Sequence, residues 1–162
     1  MDQETGLHHF VAEIGLFFEA AGSTRMAGRM LGWLLVCDPP HQSAGQLAAA
    51  LHASNGSISM TTRMLIQAGL VDRVSLRGDR RTYYRLRPHA WTRLVTERNA
   101  QVIELRKLAE QGIGLLADDP PARRERLEDM RELFAYFEDA FPGLLAGWEE
   151  RQRQQQHDEE GR

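Results

Sequence analysis

Leu7, Phe10, Ile14, Phe17 and Ala21 recur at alternating steps of three and four, the spacing that gathers side chains on one face of an amphipathic helix. Gly22 ends that helix, and Ser23 or Thr24 is suited to cap the next. The second helix runs through Met26, Met30, Trp33, Leu34 and Cys37 until Asp38-Pro39-Pro40 stops it. Ser43 then caps a short helix from Ala44 to Leu51, His52-Ala53-Ser54 makes a tight turn, and a further helix spans about Asn55 to Ala68, closed by Gly69. The period drops to two over Leu70 to Leu76, turn residues come next at Gly78-Asp79, and Thr82-Tyr83-Tyr84-Arg85-Leu86 is rich in strand formers. Together these predict a β-hairpin with a basic tip. Pro88 opens a long helix with the stripe Trp91, Val95, Val102, Leu105, Ala109 and Leu116, broken by Asp118-Asp119-Pro120-Pro121. A last helix carries Leu127, Met130, Phe134, Phe137, Phe141, Leu144 and Trp148 as a heptad-like seam. Pro142-Gly143 predicts a kink or an end inside that seam, and the polar tail from Arg151 is expected to fray.

This order predicts a mainly α fold with a small β-hairpin wing, that is, a winged helix-turn-helix plus a helical dimerisation layer. The expected divisions are 1–37, N-terminal helices for dimerisation and support of the winged helix; 38–88, the winged helix-turn-helix; 89–150, long C-terminal helices for dimerisation; and 151–162, the polar tail. The stripes on the first and last helices exceed what a small winged-helix core can cover, and left open they would form too large an apolar patch for a monomer. Leu7, Phe10, Ile14, Leu127, Met130, Phe134, Phe137 and Phe141 are therefore assigned to a homodimer interface.

Composition narrows the partners. Hydrophobic residues make up 42% and charged residues 27% of 162, an ordinary globular balance. No apolar run approaches the roughly 20 residues that span a bilayer, and Met1-Asp2-Gln3-Glu4 lacks the basic start of a signal peptide. A cytoplasmic protein without a membrane partner is expected. Cys37 is the only cysteine, so no intrachain disulfide forms, and without basic neighbours it reads as a small buried hydrophobe. The net charge of −3 is unevenly spread: Arg63, Arg73, Arg77, Arg80, Arg81, Arg85 and Arg87 face only Asp72 and Asp79 in the same stretch. Local field governs contact with a polyanion, so this block can bind nucleic acid despite an acidic total.

The candidate chemistry lies in that block. Leu47, Ala48 and Leu51 on one helix and Ile58, Thr62, Leu65 and Ile66 on the next supply the close crossing of a helix-turn-helix, which turns Ser57, Ser59, Met60 and Arg63 outward. Hydroxyls reach phosphates or base edges, Met60 can touch a thymine methyl, and Arg63 can reach guanine or phosphate. Ser54 caps this helix, so that with Asn55 and Gly56 its N-terminus offers backbone N–H groups to a phosphate, and Gly56 permits close approach. In the hairpin, Arg77, Arg80 and Arg81 suit a wing entering the electronegative minor groove, while Asp79 orients a neighbouring arginine through a bidentate pair. His8 and His9 point to different sides of a helix and read as a surface pair rather than a metal site. No nucleophile motif, phosphate loop or paired-cysteine pattern is present, so neither enzyme activity nor a metal or other cofactor is expected. The competing reading is a helical ligand-binding or protein-interaction adaptor dimer that does not bind operator DNA.

Two runs add a resemblance. Gly78-Asp79-Arg80-Arg81-Thr82-Tyr83-Tyr84-Arg85-Leu86-Arg87-Pro88 resembles the wing signature of MarR-family regulators, and Gly28-Arg29-Met30-Leu31-Gly32-Trp33-Leu34-Leu35-Val36-Cys37-Asp38-Pro39 resembles their second helix. With Ser57-Ile58-Ser59 and Arg63-Met64-Leu65-Ile66-Gln67, the likeness is to the mycobacterial branch that represses an MmpS–MmpL lipid and drug efflux system, and it covers about Leu7 to Trp148. The resemblance implies a dimer on pseudo-palindromic operator DNA, repression of a nearby promoter, and release by a lipophilic effector. Apolar position assigns Phe17, Trp33, Leu70 and Trp91 to that effector.

Overall fold

The computed structural model describes residues 2–160, which form two compact units divided between Leu94 and Val95. In the first, α1 (Gln3–Ala20) is capped by Asp2, whose carboxylate accepts from the Thr5 N–H at 2.7 Å, and α2 (Arg25–Val36) by the Thr24 hydroxyl. Next come β1 (Gln42–Ser43), α3 (Ala44–Ala50), α4 (Asn55–Gln67), β2 (Val71–Ser75) and β3 (Thr82–Leu86). The long α5 (Ala90–Leu115) begins in this unit and continues into the second, where a 3-10 turn (Pro121–Arg123) leads to α6 (Glu125–Glu160). The fold is mainly helical with a small antiparallel sheet, as the sequence predicts.

The sheet has the order β1-β3-β2, with Val71↔Leu86 through Ser75↔Thr82 pairing the hairpin and Gln42↔Tyr84 and Ser43↔Tyr83 adding β1. Two residues carry no readable periodicity, so β1 escapes sequence inspection. Ser43 serves twice: it closes β1, and its hydroxyl opens α3 in a reciprocal capping box with Gln46. The sheet is thereby tied to the first helix of the helix-turn-helix.

Val11, Ala27, Met30, Leu31 and Leu34 pack with Leu47, Leu51, Ile58, Leu65, Leu70 and Val71 in one core. The buried line of α1 is Val11 and Gly15, one position off the stripe of large residues, and Phe17 stands 67% exposed. The reason is backbone proximity. A Cβ on Gly28 would lie 2.6 Å from the Ile14 carbonyl oxygen and 2.8 Å from the Gly15 Cα, and one on Gly32 would lie 3.1 Å from the Ile14 Cβ. The two helices meet through glycines, which hydropathy spacing does not count.

Three helices of this unit end alike, with the second N–H past the end returning to a carbonyl five residues back: Ser23 to Phe18, Ala53 to Ala48, and Leu70 to Leu65. This ending places one residue in the left-handed region. Gly22 and Gly69 fill it after α1 and α4, but after α3 it is His52, at φ 48°. The Arg29 guanidinium helps hold that turn by donating to the Leu51 carbonyl at 2.8 Å.

In the second unit, Leu127 of α6 packs where a Cβ on Gly112 would sit, 2.8 Å away, and Arg106 pairs with Glu138 and Glu110. Residue 106 opposite 138 and 112 opposite 127 make an antiparallel helical pair. The last helix does not end at Pro142-Gly143 but runs through it, and the tail, expected to fray, is helical to Glu160. Pro142 forfeits one backbone hydrogen bond, but helix already propagated on both sides carries it. In the tail, strong helix formers are joined by local pairs, Arg153 to Glu150 at 2.7 Å and Gln154 to Glu150 at 3.2 Å. Among the described residues no helix is long and apolar enough to cross a membrane. Residues 161 and 162 of the tail lie outside the described residues.

Candidate nucleic-acid interface

Helix α4 sorts its residues cleanly. Ile58, Thr61, Thr62 and Leu65 are buried, while Asn55, Gly56, Ser59, Met60, Arg63 and Gln67 are exposed along the opposite side, with Ser57 half-buried at the edge. The helix is opened by Ser54, whose hydroxyl accepts from the Ser57 N–H at 3.2 Å. That hydroxyl is therefore committed to the cap. Arg63 lies back along the helix, its Nε donating to the Ser59 carbonyl at 3.1 Å, a carbonyl also used by the Thr62 hydroxyl. The outward strip is thus one thioether, one guanidinium with its terminal nitrogens open, short polar groups and a glycine.

The hairpin tip is more constrained than its composition suggests. Gly78 takes φ +85° and Asp79 N–H donates to the Leu76 carbonyl, closing a β-turn whose third residue needs a positive φ. Asp79 then organises the start of β3. Its carboxylate accepts from the Arg81 backbone N–H at 2.8 Å, from Arg81 Nε at 3.0 Å and Nη2 at 2.7 Å, and from the Tyr83 hydroxyl at 2.6 Å. The Arg81 guanidinium also lies 5.4 Å over the Tyr83 ring, which His41 meets edge-on. Tyr83 is itself buried, so the chain Arg81–Asp79–Tyr83 fastens the tip to the core. Hydrogen bonds from Arg81, then from Tyr83, hold the Asp79 carboxyl well below its ordinary value of 3.8. A carboxylate depressed in the folded state contributes fully above its unfolded value and is lost only as pH falls below it, so the clamp is constant around neutrality.

Other arginines divide in the same way. Arg87 is tied to Asp72 at 2.8 Å. Among the described residues, Arg73, Arg77, Arg80 and Arg85 have no hydrogen-bond or ion-pair partner, and all four are exposed. Arg80 sits beside the clamped Arg81. Of the arginines beside Asp79, Arg81 is the one held and Arg80 the one presented.

The remaining candidates differ in burial. Leu70 is part of the core, Trp91 is exposed, and Trp33 is half-buried with its indole N–H buried away from any acceptor. His8 stacks on Trp33 at 5.7 Å between ring centroids, whereas His9 faces Glu13, so the two histidines are not a matched surface pair. No group of three metal-binding side chains occurs among the described residues. Cys37 is half-buried, and that burial pushes its thiol up. Of the residues assigned to a dimer interface, Phe10 and Phe137 are exposed, while Leu7, Ile14, Leu127, Met130, Phe134 and Phe141 are half-buried within the protomer.

Comparisons with known proteins agree with this arrangement. Residues 89–152 match the family model described as MmpR5-like MarR family transcriptional regulators. The chain is 48% identical over 151 residues to the HTH-type transcriptional regulator MmpR5 of Mycobacterium tuberculosis (strain ATCC 25618 / H37Rv), covering 93% of this chain and 92% of that protein. A crystal structure described as that of a transcriptional regulator superposes with a TM-score of 0.74 at 48% identity, covering 90% of this chain and 99% of that one.

Proposed function

The chain belongs to the MarR family of transcriptional regulators, and from that premise we propose that it works as a homodimeric repressor that grips pseudo-palindromic operator DNA with α4 in the major groove and the hairpin in the minor groove. The observation that carries the reading is the clamped wing tip, where Asp79 fixes Arg81 and leaves Arg80 unpaired. A merely solubilising loop has no need of four hydrogen bonds to one carboxylate. A two-fold dimer would set the reading helices about 34 Å apart, on successive major grooves. Ser54, Asn55, Gly56, Ser57, Ser59, Met60 and Arg63 then face bases and phosphates, with Arg77, Asp79, Arg80 and Arg81 forming the wing.

Fluorescence anisotropy with the chain's own upstream DNA at several salt concentrations tests this. Each phosphate neutralised adds about −0.9 to the slope of log K against log salt, so two arginine-lined reading heads should give a slope steeper than about −4. Salt-independent binding, or none, would favour the adaptor reading instead.

Dimerisation draws support from the apolar side chains left uncovered in the second unit, where Tyr136 is 69% and Phe137 49% exposed in an edge-to-face pair. Because both lie on the protomer's surface, Tyr136→Asp with Phe137→Asp should leave the helices folded. Sedimentation should then give a species near 18.4 kDa rather than twice that mass, and operator affinity should fall with the lost second half-site.

On the resemblance of its wing and second helix to efflux regulators, we assign the regulated promoter to a neighbouring efflux or lipid transporter. Release by a lipophilic ligand near Phe17, Trp33, Leu70 and Trp91 completes the reading, supported by the exposed rings of Phe17 and Trp91. Such a ligand must prefer the dimer spacing that misfits DNA, since equal affinity for both spacings shifts nothing. Long-chain acyl lipids added to the same titration should therefore release the duplex.

A further inference from the structure

We infer that Met60 is the specificity residue for a methyl-bearing pyrimidine, thymine or 5-methylcytosine, standing within a step or two of the guanine that Arg63 reads in each half-site. This rests on the proposed placement of α4 in a major groove and adds which base is chosen there, and by what chemistry.

Met60 is the large apolar side chain on the outward strip of α4, and it is 63% exposed. Its neighbours on that strip are Asn55, Gly56, Ser59, Arg63 and Gln67. An unbranched thioether gains nothing in water from that position, so its surface is open to a partner. The hydroxyls nearby are partly spent. Ser54 accepts the Ser57 N–H and Thr62 is buried, donating to the Ser59 carbonyl.

Arg63 lies three residues from Met60, about 5–6 Å between Cβ atoms on the same helix face. Its Nε is bound to the Ser59 carbonyl, which bends the side chain along the helix and leaves the terminal nitrogens as the donors that reach outward. Such a separation matches one to two base-pair steps of about 3.4 Å. Guanine offers two acceptors in the major groove, suited to the arginine. The one apolar feature of that groove is the C5 methyl of thymine, which an adjoining thioether would cover. Sulfur is polarisable and the chain flexible, so Met60 adapts to the methyl without a fixed rotamer.

The experiment is a base-analogue scan. Each thymine of one half-site of the bound duplex is replaced in turn by deoxyuridine, which deletes the methyl and keeps every hydrogen-bonding group. Wild-type protein should lose affinity at one position, about fourfold for one methyl withdrawn from an apolar contact and about fifteenfold when both half-sites carry the change. Cytosine read as thymine's substitute at that position should bind better when 5-methylated. The uridine penalty should vanish in Met60→Gln, which keeps the length and helix propensity of the side chain, and persist in Met60→Leu. Binding of the unmodified duplex by wild-type protein tests the underlying placement separately. If that duplex binds but no uridine position costs affinity, or if the penalty survives in Met60→Gln, the assignment of Met60 is overturned.

Discussion

Arg80→Ala is expected to weaken operator binding about a hundredfold, with the fold unchanged. A guanidinium in direct contact with DNA is worth about 1–3 kcal/mol, and a two-fold dimer loses it twice. The side chain is exposed and unpaired in the free protein, so no intramolecular bond is broken by removing it. The companion substitution separates geometry from charge. Asp79→Ala removes a negative charge from the tip, which by simple electrostatics should tighten binding to a polyanion. Asp79 also holds Arg81 through backbone and side chain and anchors both to the Tyr83 hydroxyl. Loss of that order should dominate, and affinity should fall about tenfold, with an ordering cost of roughly 0.5–1.5 kcal/mol for each freed side chain. Arg81→Lys should behave like Asp79→Ala, since an ammonium cannot reproduce the planar two-pronged pairing. Anisotropy titrations at fixed salt measure all three. Tighter binding by Asp79→Ala would mean that the wing acts through net charge alone.

Gly28→Val should unfold the first unit or leave it barely stable. The side chain would be driven into the Ile14 carbonyl, the Gly15 Cα and the Phe18 Cβ, at 2.6–2.8 Å from its first atom. Two of those three are backbone, and a helix cannot yield there without parting from its neighbour. Overpacking costs about 1–3 kcal/mol where side chains can adjust, so about 3 kcal/mol or more is expected here, against a total of about 5–15 for a domain. Gly6→Ala supplies the contrast within α1: its Cβ would meet nothing within 4 Å, and relief of glycine's backbone entropy should stabilise the helix by about 0.5–1 kcal/mol. Urea unfolding monitored by circular dichroism gives both values and their opposite signs.

These two predictions mark different kinds of legibility. Ser54 as a cap, Gly69 as a helix stop, the buried side of α4 through Ile58, Thr62 and Leu65, and the hairpin turning at Gly78-Asp79 could all be read from the chain. Each depends on neighbours within about one helical turn or one β-turn, where residue type and spacing carry the physics. The absence of glycine at residue 52 was visible too, though not that His52 would nonetheless adopt the left-handed ending, held by Arg29 from another helix.

Two further results depended on packing between elements. The large residues of α1 form a stripe that includes Phe17, whereas the side the helix turns to the core is Val11 and Gly15, because Gly28 and Gly32 let the backbone of α2 come close. Strand β1 exists only because β3 lies beside it.

What the sequence determined by itself is the local alphabet of this protein: helices with their caps and stops, a hairpin with a basic tip, and a stretch rich in arginine. Tertiary structure decided which face of α1 is inside and which wing arginine is held and which is free. Those outcomes turn on distances between atoms far apart in the chain, and a guanidinium four bonds from its backbone is committed only when folding brings, or fails to bring, a carboxylate within reach.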